Sequence, residues 1–431
     1  MKRKLFAAGL SVALLRATGA ILGFVVTIVI SRTLGTAGLG VYAYAVTIIV
    51  IATVPVSYGW GTSLLRSAST SHFSGDWRET SGLAIRGAQF AFLLAVILLG
   101  AFLALRLMTP EFLQVLNISI ATASSLTFVF LFDQLSALRA SILRGLDRPI
   151  TAQAPEMLVR PLVFVIAFFS LAWWLGEGVA PVHAFIALSI AAFVSAIAGY
   201  GLLRWRAPTN LKGTTASFDT RSWLASASPI ALSSGLIVLN SHLDILILGI
   251  FVEAADIGIY RVAVQTSLVS GLAYTSLNML ASQRFAFAAA AGDRVGVKAS
   301  ATFMARIAVL CSIPLLIVLI LAGQSIVPYV FGENFGAALG PMIVLAFGQS
   351  FTAATGMAQP LLLMNGLEKH VMYWTSVSVV MNILLCLIFI PLFGVIGAAF
   401  ATVIAAALWN VALWSVARAR VGVDTSIIGL S

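Results

Sequence analysis

The stretch "NILLCLIFIPLFGVIGAAFATVIA", residues 382–405, carries no charged side chain. A helix crossing the hydrocarbon core of a bilayer needs about 20 consecutive apolar residues. Comparable runs recur along the whole chain. Of 431 residues, 60% are hydrophobic and 9% are charged, against roughly 25% charged in a soluble domain. No water-soluble core could hide that surface. The chain is therefore read as an all-α, polytopic membrane protein, because helices satisfy their own backbone polar groups away from water.

Twelve spans are predicted, near residues 6–30, 39–65, 83–105, 115–142, 152–174 and 182–203, then 222–250, 256–283, 299–322, 341–364, 371–391 and 394–416. The start "MKRKLFAAGLSVALL" has the look of a secretory leader, but Arg16 interrupts its apolar stretch and no convincing cleavage site follows. It is read as a retained first span. With the N-terminus in the cytoplasm, the cytoplasmic segments hold Lys2, Arg3, Lys4, Arg66, Arg78, Arg144, Arg148, Arg204, Arg206, Lys212, Arg221, Arg284, Arg294, Lys298, Lys369, Arg418 and Arg420. The opposite side holds Arg32 and Arg106. That asymmetry sets orientation and accounts for the net charge of +10 without a nucleic-acid partner. An even number of spans returns the C-terminus to the cytoplasm. The polar stretch "RWRAPTNLKGTTASFDTRS" near residues 204–222 reads as a linker. The expected organisation is a six-helix bundle over 1–204, a cytoplasmic linker over 205–221, a second bundle over 222–417 and a cytoplasmic tail over 418–431. Cys311 and Cys386 sit in apolar runs and are read as small buried hydrophobes.

The chain repeats itself. "LGTAGLGVYAYAV" (34–46) and "VEAADIGIYRVAV" (252–264) share a plan at an offset of 218 residues: a small-residue turn, Gly-aliphatic-Tyr, then Ala-Val. At the same offset Arg66 falls on Arg284. At an offset of 221, "ILRGLDR" (142–148) matches "LMNGLEK" (363–369). Six spans separate the members of each pair, so both members share one orientation. This is a parallel repeat about an axis normal to the membrane, the plan of many secondary transporters, with the substrate path between the halves.

Charges inside spans are costly and mark cavities or partners. Here they include Arg16, Arg86, Asp133, Arg139, Arg160, Asp244, Arg261 and Arg306, with Glu156 near the start of the fifth span. Arg86, Arg139 and Arg306 lie close enough to the cytoplasmic end to snorkel. Asp133 with Arg160, and Asp244 with Arg261, lie at similar depths on neighbouring spans and are candidate pairs. Arginine suits phosphate, since its planar fork donates paired hydrogen bonds and keeps its charge. The excess of intramembrane arginine over acid points to an anionic substrate. Arg16, Arg66, Arg261 and Arg284 are the candidate substrate-binding residues, spread over successive depths. The stretch "NSHLD" (240–244) gathers amide, hydroxyl, imidazole and carboxylate within about one turn. His242 and Asp244 are therefore candidates for coupling to H+ or Na+, as are Asp133 and Arg160, against a plain structural role for each.

The two repeat stretches, the "RGLDRP" and "NGLEKH" turns, "DILILGIFVEAADIGIYRVAV", and residues 382–405 together resemble the Wzx-type polysaccharide-biosynthesis flippases. These belong to the multidrug/oligosaccharidyl-lipid/polysaccharide exporter superfamily. The resemblance implies two six-helix bundles around a central cavity. It implies alternating-access translocation of an undecaprenyl-diphosphate-linked oligosaccharide to the outer leaflet of the bacterial inner membrane. The product would feed lipopolysaccharide O-antigen, capsule or exopolysaccharide, with membrane lipids, a polysaccharide polymerase and glycosyltransferases as partners. Drug exporters of the superfamily share the fold and are the alternative. A membrane glycan polymerase or ligase is a weaker reading. The longest external segment, "GQSIVPYVFGENFGAALG" (323–340), holds one carboxylate, Glu333, and no base. The sequence shows no phosphate-binding glycine loop, zinc-binding His/Glu motif or Cys pair. No enzyme activity, cofactor or metal is expected.

Overall fold

A computed structural model describes residues 2–108, 119–208, 215–291 and 294–429. The expected start of the fourth span at 115 and Lys212 of the linker fall outside the described residues. The described chain is helical: α1 (Lys2–Ala52), a π turn (Pro55–Trp60), α2 (Gly61–Ser74), α3 (Arg78–Met108), α4 (Ile120–Gly145), α5 (Pro149–Ala154), a second π turn (Pro155–Val159), α6 (Arg160–Leu175), α7 (Pro181–Arg206) and α8 (Thr220–Asn240). Then come α9 (Leu243–Phe251), α10 (Ala254–Ala291), α11 (Arg294–Phe331), α12 (Leu339–Thr355), α13 (Ala358–Met364), α14 (Glu368–Val416) and a last π turn (Ala417–Val421). Two π turns open on a proline, which lacks the N–H that a regular turn would use.

Among the described residues, nine segments are long and apolar enough to cross a membrane. Two of them are not single rods. α1 breaks at Gly35 (φ 67°) and α14 at Gly394 (φ 58°), a left-handed conformation open to glycine at little cost. These two breaks add two rods, and the 38-residue α10, which is not among the nine, adds one more by its length. The total is the twelve expected from the sequence. The repeat reaches the backbone as well. Gly176, in the turn from α6 to α7, has φ 57° and ψ −125°; Gly394, 218 residues later, has φ 58° and ψ −133°.

The chain forms two compact units. One comprises Leu14–Leu34 and Val41–Ser241; the other comprises Met1–Ala13, Gly35–Gly40 and His242–Ser431. This division differs from the expected boundary at the 205–221 linker, because α8 packs with the elements before the linker. Small residues allow it: a Cβ on Gly59 would lie 2.8 Å from Ala231 Cβ and 2.9 Å from the Ala227 carbonyl oxygen. The indoles of Trp60 and Trp223 meet edge to face at 6.1 Å. The end of the linker is tied down too, since the Ser217 amide donates to the Arg78 carbonyl (3.1 Å). Around these contacts lies a core that includes Leu64, Leu83, Leu138 and Leu143.

In the second unit, Phe285, Met304, Leu361, Leu413 and Val423 belong to one core. Val423 lies in the tail, and the tail is docked. The Thr425 hydroxyl donates to the Thr355 carbonyl (2.9 Å) and the Ile427 amide to the Ala354 carbonyl (3.0 Å). Arg306, close enough to the cytoplasmic end to snorkel, donates from Nε to the Ile427 carbonyl (3.2 Å). Asp424 Oδ1 accepts from the Trp414 indole (2.8 Å) and the Ser426 amide (2.9 Å). Burial alone would raise the Asp424 carboxyl; hydrogen bonds from Trp414 and Ser426, with Arg418 nearby, hold it below the usual value instead. A carboxyl depressed on folding stabilises the docked tail above its unfolded value of about 3.9. That contribution is lost as pH falls through the lower folded value. Trp414→Phe removes one charge-assisted bond and is expected to loosen the tail by about 1.5–3 kcal/mol at neutral pH. Faster carboxypeptidase trimming of the variant, with the gap closing below about pH 4, is the expected readout.

Candidate functional site

In the first unit, the charges expected to pair do so. Arg160, opening α6, makes a fork to Asp133 on α4, with Nη1–Oδ1 at 2.6 Å and Nη2–Oδ2 at 3.1 Å. Both side chains are about one quarter exposed. Six residues along α4, Arg139 takes Glu156 of the π turn and also donates to the Ala152 carbonyl (3.0 Å). The two bridges run antiparallel, 133 with 160 and 139 with 156, as a helical hairpin requires. Arg139 stood close enough to the cytoplasmic end to snorkel. Instead it is buried, and Gly199 on α7 makes the room, since a Cβ there would lie 2.5 Å from Arg139 Nε. The sequence signal for this second bridge was the matched spacing of two acids and two bases across one turn. Among the described residues Arg139 Nε and Nη1 have no hydrogen-bond partner.

The same unit holds a polar cavity of about 430 Å³. It is framed by α2, the first turns of α3 and the linker's end with α8. Arg66, Glu79 and Asp219 line it, with six serine and threonine hydroxyls, Trp223 and Leu83. The linker reaches it because Gly82 has no side chain: a Cβ there would lie 1.8 Å from the Ser217 carbonyl oxygen. Farther along the π turn, α3 and α8 lies an apolar groove of about 550 Å³ that includes Pro55, Trp60, Phe90 and Leu236. Trp60 lines the groove, Trp223 lines the cavity, and the Trp60 indole donates to the Leu83 carbonyl (2.8 Å) at the seam.

In the second unit the acid of the "NSHLD" stretch is buried. Asp244, in the first turn of α9, accepts from the Ile245 amide (2.9 Å) and from the Tyr260 hydroxyl of α10 (2.6 Å). That hydroxyl also lies 3.4 Å from Thr402 Oγ1 on α14. Arg261, the residue expected to pair with Asp244, is near enough to bear electrostatically on both Asp244 and His242. The direct side-chain partner described for Asp244 is Tyr260. Sequence reasoning missed this residue, although it stands in the repeated Gly-aliphatic-Tyr. Its repeat mate Tyr42 does something else and stacks on Phe185 at 5.7 Å. His242 Nδ1 is buried without a hydrogen-bond partner among the described residues. Among the described residues no group of three or more His, Cys, Asp or Glu side chains is arranged to hold a metal ion.

The four candidate arginines divide between the units. Arg16 is exposed on α1 and donates from Nε to Gln153 of α5 (3.3 Å), while Arg66 lies in the polar cavity. Arg261 is half-buried and Arg284 exposed, both on α10. They stand 23 residues apart, about 34 Å along the helix axis at 1.5 Å per residue. Arg261 and Arg284 are therefore placed at separate levels.

The polysaccharide biosynthesis protein family matches residues 6–282. The chain belongs to this family. No curated protein sequence matches it. Among solved structures, this polysaccharide biosynthesis protein is similar to an inward-facing multidrug resistance MATE transporter of the MOP superfamily. The TM-score is 0.79 at 15% identity, over 96% of this chain and 98% of that one. It is similar to the lipid II flippase MurJ in an inward closed conformation, with TM-score 0.75 and 16% identity over 94% of this chain and 87% of that one. An outward-facing MATE transporter of the same superfamily gives 0.65 at 15% identity over 96% and 95%. At such identities the likeness is one of fold. The polysaccharide biosynthesis protein is thus a multi-pass membrane protein with the fold of the exporter superfamily that its repeat and turn motifs resemble.

Proposed function

We propose that this protein is a flippase. It moves an undecaprenyl-diphosphate-linked oligosaccharide from the cytoplasmic to the outer leaflet of the bacterial inner membrane by alternating access. Both of its termini are cytoplasmic, and its product supplies cell-surface polysaccharide assembly. The observation that carries this reading is the family match over residues 6–282 on a fold shared with transporters. The parallel repeat supports it, because two like halves can rock about a path between them. The arginines support an anionic headgroup. Arg66 and Arg284 meet the incoming substrate from the cytoplasm, and Arg16 and Arg261 hold its diphosphate farther along. Sites on successive levels let an anion pass where one tight site would trap it. The buried Asp244–Tyr260 pair is the place for coupling to H+ or Na+. Glycosyltransferases supply the substrate and a polymerase consumes it.

The test is flipping of an undecaprenyl-diphosphate-linked oligosaccharide in proteoliposomes. Arg16→Ala is expected to slow flipping at least about tenfold, the scale of a lost charge-assisted contact. Arg16→Lys should restore only part, because the bidentate fork is gone. Arg78→Ala, in the cytoplasmic turn, should flip normally. Wild-type protein that leaves the glycolipid untouched but exports cationic drugs would replace this reading with drug export.

A further inference from the structure

Resting on the flippase reading, we infer that the polar cavity of the first unit recognises the sugar of the lipid-linked substrate, not its diphosphate. The charges that line it decide between the two. One guanidinium, Arg66, faces two carboxylates, Glu79 and Asp219. The lining has a formal charge of one net negative, which repels a diphosphate. A neutral, hydroxyl-rich ligand suffers no such repulsion and finds its partners here. Carboxylates accept from sugar hydroxyls and the guanidinium donates to sugar oxygens; of the lining hydroxyls, Thr70 and Ser226 already donate to the Arg66 (3.2 Å) and Trp223 (3.0 Å) carbonyls and so accept, Ser67 shares a bond with Thr80 (2.9 Å), and Ser63, Ser217 and Ser222 do either.

The charged groups are available. Among the described residues neither the Arg66 guanidinium nor the Glu79 carboxylate has a hydrogen-bond or ion-pair partner in the protein. Asp219 Oδ1 caps α8 through the Ser222 amide (3.3 Å). The cavity, about 430 Å³, has the size of a small-ligand site. Its walls are held in place: the Ser217 amide bonds Arg78 (3.1 Å), the linker carbonyl nests on Gly82, and Arg86 lies over the Phe218 ring at 4.9 Å. Trp223, almost fully buried, forms part of a rigid apolar wall. A fixed, hydroxyl-lined cavity with charges of both signs reads shape and hydroxyl pattern. Arg16 and the arginines of α10 remain for the diphosphate.

The experiment measures binding of two lipids to the full-length protein in nanodiscs. The probes are undecaprenyl diphosphate without sugar, and the undecaprenyl-diphosphate-linked oligosaccharide extracted from the cells that make this protein. Wild type should bind the glycolipid more tightly than the bare lipid. Glu79→Gln with Asp219→Asn keeps the volume and the α8 cap. It should weaken the glycolipid about tenfold or more, the effect of losing charged hydrogen-bond partners, and leave the bare lipid within about twofold. Ser226→Leu, at an exposed cavity position, fills the space and should give the same selective loss without touching a charge. Equal weakening of both lipids, unchanged binding in both variants, or a wild type without preference for the glycolipid overturns the sugar site and leaves the flippase reading intact. A wild type that binds neither lipid overturns the flippase reading and the sugar site together.

Discussion

Gly258→Val is expected to cost at least about 3 kcal/mol, at or beyond the top of the usual overpacking range, and to leave little folded protein after solubilisation. The reason is a reciprocal contact between the two repeat stretches. A Cβ on Gly40 would lie 1.6 Å from the Ala254 carbonyl oxygen, and a Cβ on Gly258 would lie 2.0 Å from the Thr36 carbonyl oxygen. Thr36 and Ala254, like Gly40 and Gly258, are 218 residues apart. Each repeat thus presents a small residue and, four positions on, a glycine to the same pair in its mate. That is how a two-fold axis makes a contact, and small-xxx-small spacing is how membrane helices approach closely. The neighbours are backbone atoms, so no rotamer change relieves the clash. Gly40→Val should behave alike. Gly201→Ala, with nothing within 4 Å of its Cβ position, should be harmless. Thermal melting followed by size-exclusion chromatography checks this; a Gly258→Val protein that melts like wild type would show that the crossing is looser in the membrane.

The second large effect falls on the α4–α6 bridge. Asp133→Ala leaves Arg160 partly buried with its fork unmatched, and losing one partner of a buried pair costs roughly 3–5 kcal/mol. Replacing both by leucine should recover most of that loss, because no charge is left to desolvate. The double variant also separates two roles. If it is stable and flips glycolipid normally, the bridge is structural. If it is stable and inactive, Asp133 and Arg160 take part in transport. A single Asp133→Ala variant as stable as wild type would mean that Arg160 has found water or another acid.

The membrane class, the rods and the Asp133–Arg160 bridge were legible in the residues. Apolar length and charge placement are one-dimensional signals, and two opposite charges flanking one tight turn have few places to go. The Arg139–Glu156 bridge was half legible. Distance from a span's end says how far a guanidinium could reach but not which way it points, and Gly199, the residue that lets it point inward, lies more than 50 positions away. Tyr260 as the partner of Asp244 was hidden for a similar reason. Arg261 beside it is the stronger electrostatic candidate on paper, yet consecutive helical residues point about 100° apart, and only packing decides which of the two faces α9.

By itself the sequence determined that this chain crosses a membrane many times, that it is written twice, and that its membrane carries more arginine than acid. All three follow from local properties: hydropathy over twenty residues, similarity at a fixed offset, and residue identity. Only the tertiary structure decided that α8 packs with the elements before the linker, that the tail folds back on Thr355, and that Arg66 shares its cavity with Glu79 and Asp219. The physical reason is common to them. Each depends on glycines and other small residues that let backbones from distant segments come within van der Waals contact, as at Gly59, Gly82 and Gly356. A glycine announces that something comes close, and the fold alone says what.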